Sequence, residues 1–99
     1  MAILDPKFKR LSAPNVDKAP RKAGVYALYA GSTLVFLGQS SGRTDTIRSR
    51  LRAHLGVAAM GATRYKREVC EDPGSRCAEL LAEHVAAHGG LPAGNARRR

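Results

Sequence analysis

The chain has 99 residues, with 17 Lys and Arg against eight Asp and Glu for a formal net charge of +9 and a pI near 10.4. Its length reads as one domain, enough for a single sheet with helices packed on it, and with three Tyr, two Phe and no Trp the core must rest on Leu, Val, Ala and a few rings. No stretch approaches the roughly 18–20 apolar residues of a bilayer span, whereas the charge predicts attraction to a polyanion, nucleic acid or an anionic membrane surface.

The charge is uneven. Residues 1–55 carry net +7, while residues 71–96 carry net −3 from Glu71, Asp72, Glu79 and Glu83 against Arg76. A basic half beside an acidic cluster suggests a polyanion surface that also seats a cation. Asp5, Lys7, Lys9 and Arg10 interrupt any signal-peptide core. The sequence therefore reads as intracellular and cytoplasmic, with Cys70 and Cys77 reduced.

Taken in order, residues 1–22 form a basic lead-in, residues 23–95 the folded domain and residues 96–99 a basic tail. The lead-in holds Pro6, Pro14 and Pro20 and reads as irregular chain lying across a sheet edge. From Gly24 to Tyr29 the pattern alternates, with Val25, Ala27 and Tyr29 on one side and Tyr26 and Leu28 on the other. Ala30-Gly31-Ser32 supplies a turn and Thr33 to Leu37 a second strand, which together predict a β-hairpin. A loop follows from Gly38 to Arg43, and Thr44, Asp45 or Thr46 can cap a helix. In that helix Ile47, Leu51 and Leu55 form an apolar stripe, and Arg50 and His54 pair at i, i+4 on an adjoining face. Gly56 stops the helix, and residues 57–62 suit a short further helix ending at Gly61.

Thr63 to Cys70 suits a third strand, in which Arg64, Lys66 and Glu68 alternate against Tyr65, Arg67 and Val69. After the Asp72-Pro73-Gly74-Ser75 turn, Ser75 is the expected N-cap of a last helix running from about Arg76 to His88. Ala78, Leu81, Ala82 and Val85 are its expected buried stripe, with Glu79 and Glu83 together at i, i+4, and Gly89-Gly90 its end. The fold class that follows is α+β, a three-stranded antiparallel sheet flanked by helices.

Hydrolysing a phosphodiester needs a deprotonated water, stabilisation of the charge on phosphorus, and help for the leaving oxygen. A carboxylate-held divalent ion serves the last two, an arginine fork holds the phosphate, and a base beside the water completes the set. The segments Gly24-Val25-Tyr26 and Phe36-Leu37-Gly38 face each other across the hairpin. Behind them come Arg48-Ser49-Arg50-Leu51-Arg52-Ala53-His54, then Glu83, and Asn95 twelve positions on. That order and spacing resembles the GIY-YIG nuclease superfamily over about residues 23–95.

The resemblance implies a metal-dependent endonuclease that hydrolyses DNA, duplex or branched, with one Mg²⁺ or Mn²⁺. It matches Tyr26 to the first motif's tyrosine, Arg50 to the helix arginine, Glu83 to the carboxylate that ligates the ion, and Asn95 to the asparagine closing the module. His54 matches a histidine that some restriction-enzyme members carry. Phe36 stands where the family usually has a second tyrosine, which leaves Tyr26 and His54 as the candidate bases, with Tyr26 expected beside the attacking water and His54 assisting. The loop before Arg50 is longer than in compact members, so Arg48 is the alternative arginine.

Phosphate contacts are expected from Lys22, Arg43, Arg48, Arg52, Arg64 and Lys66, with the Arg97–Arg99 tail as a further source. Such contacts fix position and carry no base sequence. A single site makes one nick, so double-strand cleavage would need a homodimer or two encounters. Two rivals stand beside this reading: a DNA-binding module of the same fold with weakened or lost turnover, and a small basic RNA-binding protein. Membrane binding is disfavoured, because no basic amphipathic helix with a broad apolar face is present. Cys70, Cys77, His84 and His88 resemble a zinc set, but the six residues between the thiols do not suit the close pair a structural site uses. Both cysteines therefore read as small core residues.

Overall fold

A computed structural model of the chain describes residues 9–31, 33–42, 45–55, 61–92 and 95. The elements are β1 (Lys9–Arg10), α1 (Ala13–Asp17), β2 (Gly24–Ala30), β3 (Thr33–Ser40), α2 (Ile47–Leu55), β4 (Arg64–Val69) and α3 (Pro73–His88). They form an α+β fold around one antiparallel sheet of strand order β1-β4-β2-β3. The expected hairpin is β2–β3, turning at Gly31 with φ 65°.

Strand alternation sends β2 side chains to two faces. Tyr26 and Leu28 enter a cluster with Ile47 and Leu51 of α2, Val16 of α1 and Tyr65 of β4. Val25 and Ala27 enter a second cluster with Leu37 of β3 and Cys77 and Leu80 of α3. The sheet is thus a central layer with α1 and α2 on one face and α3 on the other. A register shift between Leu28 and Tyr29 inserts one extra residue on β3. It sends both Val35 and Phe36 to the α2 face.

Several expectations are corrected. The sheet has four strands, because Lys9 and Arg10 pair with Tyr65 and Arg64 at the outer edge of β4. The stretch before residue 23 is not wholly irregular: Val16 and Ala19 are buried in the α2-side core. Nor is Gly38 to Ser40 a loop. β3 continues to Ser40, which pairs with Gly24, and the buried Ser40 hydroxyl donates to the Lys22 carbonyl at 3.3 Å.

Helix α2 starts on a capping box centred on Thr46. The Thr46 hydroxyl accepts from Ser49 N at 3.1 Å and Thr46 N donates to the Ser49 hydroxyl at 2.9 Å, which satisfies two of the donors a helix start leaves open. The carbonyls of Lys22 and Pro20 take the next two, from Ile47 N and Arg48 N. The stripe Ile47, Leu51, Leu55 faces the core as expected. Gly56 and most of the short helix expected over residues 57–62 lie outside the described residues.

In α3 the cap is Asp72, not Ser75. Its carboxylate accepts from Ser75 N at 3.3 Å and from the Ser75 hydroxyl at 2.9 Å. Pro73 follows at the first turn, where its missing N–H costs nothing. The helix is also rotated relative to the expected stripe. Cys77 and Leu80 are buried while Val85 is 40 % exposed. Arg76 explains the rotation, since its Nε and Nη2 donate to Glu68 of β4 at 2.8 and 3.1 Å and it also pairs with Glu79. Gly89, at φ 82°, ends the helix with its N–H on the Val85 carbonyl.

Gly38 is fixed by a close approach. It lies directly opposite Tyr26, and a Cβ there would fall on the Cζ, Oη and Cε1 atoms of the Tyr26 ring. Gly24 is similarly confined, with Ile47 Cδ1 at 2.7 Å from an added Cβ and the Glu68 carbonyl nearer still. Gly38→Ala should therefore lower stability by about 1–3 kcal/mol through overpacking. Gly90→Ala, where nothing lies within 4 Å of an added Cβ, should shift it by less than about 1 kcal/mol. Urea unfolding of the two variants beside the wild type checks this, and equal midpoints for the two would contradict it.

Candidate active site

Tyr26 leaves β2 on the α2 face and its ring crosses Gly38, which carries the hydroxyl to the edge of α2. There Tyr26 Oη and His54 Nε2 share a hydrogen bond of 3.0 Å. Phe36 closes the group, with ring centroids 6.1 Å from Tyr26 and 5.4 Å from His54. Tyr26 is 1 % exposed, whereas His54 and Phe36 are half-buried. Burial holds the His54 pKa below its ordinary value, and the nearby Arg50 charge pushes it the same way. The imidazole is therefore neutral near pH 7 and able to accept a proton.

Arg50 stands one turn before His54 and is gripped by Asp45, with Nε to Oδ1 at 2.5 Å and Nη2 to Oδ2 at 2.9 Å. This fork lowers the Asp45 pKa and raises that of Arg50. Arg48, the alternative arginine, is committed elsewhere: its Nε donates to the Ala19 carbonyl at 2.9 Å and ties α2 to the preceding segment. Of the two, Arg50 is the one whose charge reaches His54 and Tyr26.

Glu83 and Asn95 stand apart from this group. Glu83 is half-buried on α3, whose apolar stripe packs on the other face of the sheet. It can meet Tyr26 and His54 only around an edge or end of the sheet. Asn95 is buried and spends its amide on β3: Leu37 N donates to Oδ1 at 2.8 Å and Nδ2 donates to the Leu37 carbonyl at 2.9 Å. It closes the outer edge of the strand between Phe36 and Gly38, as one residue of a further strand would.

The expected phosphate contacts do not share one surface. Arg52 pairs with Asp17 at 2.6 Å, and both Arg48 and Arg52 lie on α2. Register puts Arg64 and Lys66 on the opposite face from Tyr26, with Lys66 Nζ 5.7 Å from the Tyr29 ring centroid. Lys22 is exposed before β2. Arg43 and the 97–99 tail lie outside the described residues.

The residues present suit a hard divalent ion sparsely. Among the described residues no three His, Cys, Asp or Glu side chains converge, so Glu83 would contribute a single carboxylate. That donor set fits Mg²⁺ or Mn²⁺ with most ligands drawn from water and phosphate, not a closed protein cage. His84 instead donates from Nδ1 to the Gly90 carbonyl at 2.9 Å and stacks on His88 at 4.4 Å. Cys77 is buried and Cys70 partly so.

Two residues of this neighbourhood escape a motif-based reading. Asp45 reads as a helix-cap candidate, yet it holds the arginine. Arg67 reads as one member of an alternating strand, yet it sits directly opposite Tyr26. The five-residue spacing of Asp45 and Arg50 across a helix start was the only available hint of the first.

Compared with known proteins, the sequence matches no protein-family model and no curated protein.

The depressed His54 pKa makes a stability prediction. Unfolded, His54 titrates near its ordinary 6.5; folded, it binds its proton only at lower pH, so the unfolded state gains protons first on acidification. The contribution is complete above pH 6.5 and is lost as pH falls towards the folded-state value. The thermal midpoint should drop from about pH 7.5 to about pH 5.5, and less so in His54→Phe. An equal drop in both proteins would contradict the assignment.

Proposed function

We propose that this protein is a metal-dependent endonuclease of the GIY-YIG type that hydrolyses DNA phosphodiester bonds. The observation that carries the reading is the Tyr26 Oη–His54 Nε2 hydrogen bond at 3.0 Å, with Arg50 one helical turn away. An exposed aromatic pair would suit packing alone. A buried tyrosine hydroxyl spent on a neutral, half-buried imidazole beside an arginine suits proton transfer next to a phosphate.

In this reading His54 accepts the proton of the attacking water. Tyr26, expected from the sequence beside the water, is only 1 % exposed, so in this reading its part is instead to orient the ring by engaging Nε2. With Nε2–H donating to Tyr26 Oη, Nδ1 is the unprotonated nitrogen that accepts the proton. Arg50 exchanges its Asp45 carboxylate for a non-bridging phosphate oxygen pair. The exposed Arg50–Asp45 pair is worth about 1 kcal/mol or less, so the exchange is cheap. Glu83 would hold the divalent ion, which supplies charge neutralisation at phosphorus and at the leaving oxygen. Asn95 keeps the Phe36–Gly38 stretch of β3 in place.

The rival favoured by a specific observation is a DNA-binding module that has lost turnover. Phe36 packs against both Tyr26 and His54 and lacks the hydroxyl that the family's second motif carries there. Nicking of supercoiled plasmid with Mg²⁺ or Mn²⁺ decides between them. The nuclease reading expects nicking that EDTA abolishes and that Glu83→Ala lowers at least about 100-fold. Salt-sensitive DNA binding without nicking, in both proteins, is the binding module's result.

A further inference from the structure

Arg67 of β4 pairs directly with Tyr26 of β2. The two side chains therefore leave the sheet on the same face, with Cβ atoms about 5 Å apart. Arg67 is half-buried, and its Nε is shut off from solvent with no hydrogen-bond partner among the described residues. Several other guanidinium groups among the described residues are employed. Arg76 forks onto Glu68, Arg50 onto Asp45, and Arg48 reaches the Ala19 carbonyl.

Leaving a buried charged donor unpaired is costly. A strand position facing Leu28 and Tyr65 neighbours would be better filled by an apolar side chain if packing were its whole purpose. Local rules are broken in this way where a group is kept for a ligand. Of its two diagonal neighbours on β2, Leu28 and Gly24, Gly24 sets no side chain in the path of the long arginine. A change of rotamer that carries the fork outward gives up no hydrogen bond made by Nε, whereas Arg50 must first leave Asp45. The Nε and Nη edge of a guanidinium matches two oxygens of a phosphate.

We infer that Arg67 is a phosphate-binding residue, holding a phosphodiester of the nucleic-acid strand beside the Tyr26–His54 pair. This rests on the nucleic-acid reading above and adds to it a residue outside the motif.

The test compares wild type, Arg67→Met and Arg67→Lys for binding to a duplex of about 20 base pairs over a salt series without divalent ion, with thermal midpoints alongside. Arg67→Met should melt at or above the wild-type temperature while binding about fivefold more weakly near 0.1 M salt. The slope of log affinity against log salt should become shallower by about 1, and Arg67→Lys should keep the wild-type slope. Unchanged affinity and slope in Arg67→Met overturn the inference, as does failure of Arg67→Met to fold, which would make the arginine structural. The two readings fail separately. Plasmid nicking with an Arg67→Met slope equal to wild type removes only the Arg67 assignment, and absent nicking with a shallower slope removes only the nuclease. A wild type that binds no DNA removes both.

Discussion

The placement of the Tyr26 ring over Gly38 is the constraint on which the α2 side of this molecule depends. Only a residue without a Cβ lets the ring lie flat across β3, and only that course brings the hydroxyl to His54 Nε2. The same contact fixes where α2 sits, because Ile47 and Leu51 pack on the surface the ring helps to form. Packing and chemistry thus share one geometry. A side chain at position 38 would move the tyrosine, and with it the imidazole's orientation and burial.

Around that contact the fold divides labour between layers. The α2 face carries the imidazole, the tyrosine and the Arg50–Asp45 fork; the α3 face carries Glu83 and the Arg76–Glu68 tie that sets the rotation of the last helix. β3 is the sheet edge nearest to both, and Asn95 closes it at Leu37 with two hydrogen bonds, each worth about 1 kcal/mol net. A phosphodiester bound across this edge would draw on both layers. In the proposed reaction, that is how a carboxylate of a distant helix would serve a phosphodiester held by the hairpin.

The parts that were legible in the sequence were those governed by local periodicity. The alternation of Val25, Ala27 and Tyr29 against Tyr26 and Leu28 gave the hairpin and both its faces, and the spacing of Ile47, Leu51 and Leu55 gave the buried side of α2. Cap chemistry is partly readable: Thr46 is one of three candidates, whereas Asp-Pro-Gly-Ser has the composition of a turn and hides that Pro73 is the first helical residue and Asp72 its cap. The rotation of α3 depends on an ion pair between Arg76 and Glu68, eight residues apart and in different elements, which no stripe analysis contains. β1 is two residues long and exists only because β4 offers an open edge. Arg67 shows the same limit, since its neighbour across the sheet is set by register, and register is a tertiary fact.

In the proposed reaction His54, oriented by Tyr26, accepts the proton of the attacking water. Chemical rescue tests it most directly: plasmid nicking by wild type and His54→Ala at neutral pH, each with and without added imidazole. His54→Ala should lose about 100-fold or more, partly restored by imidazole, with no gain in the wild type. Nicking by His54→Ala at the wild-type rate would contradict it.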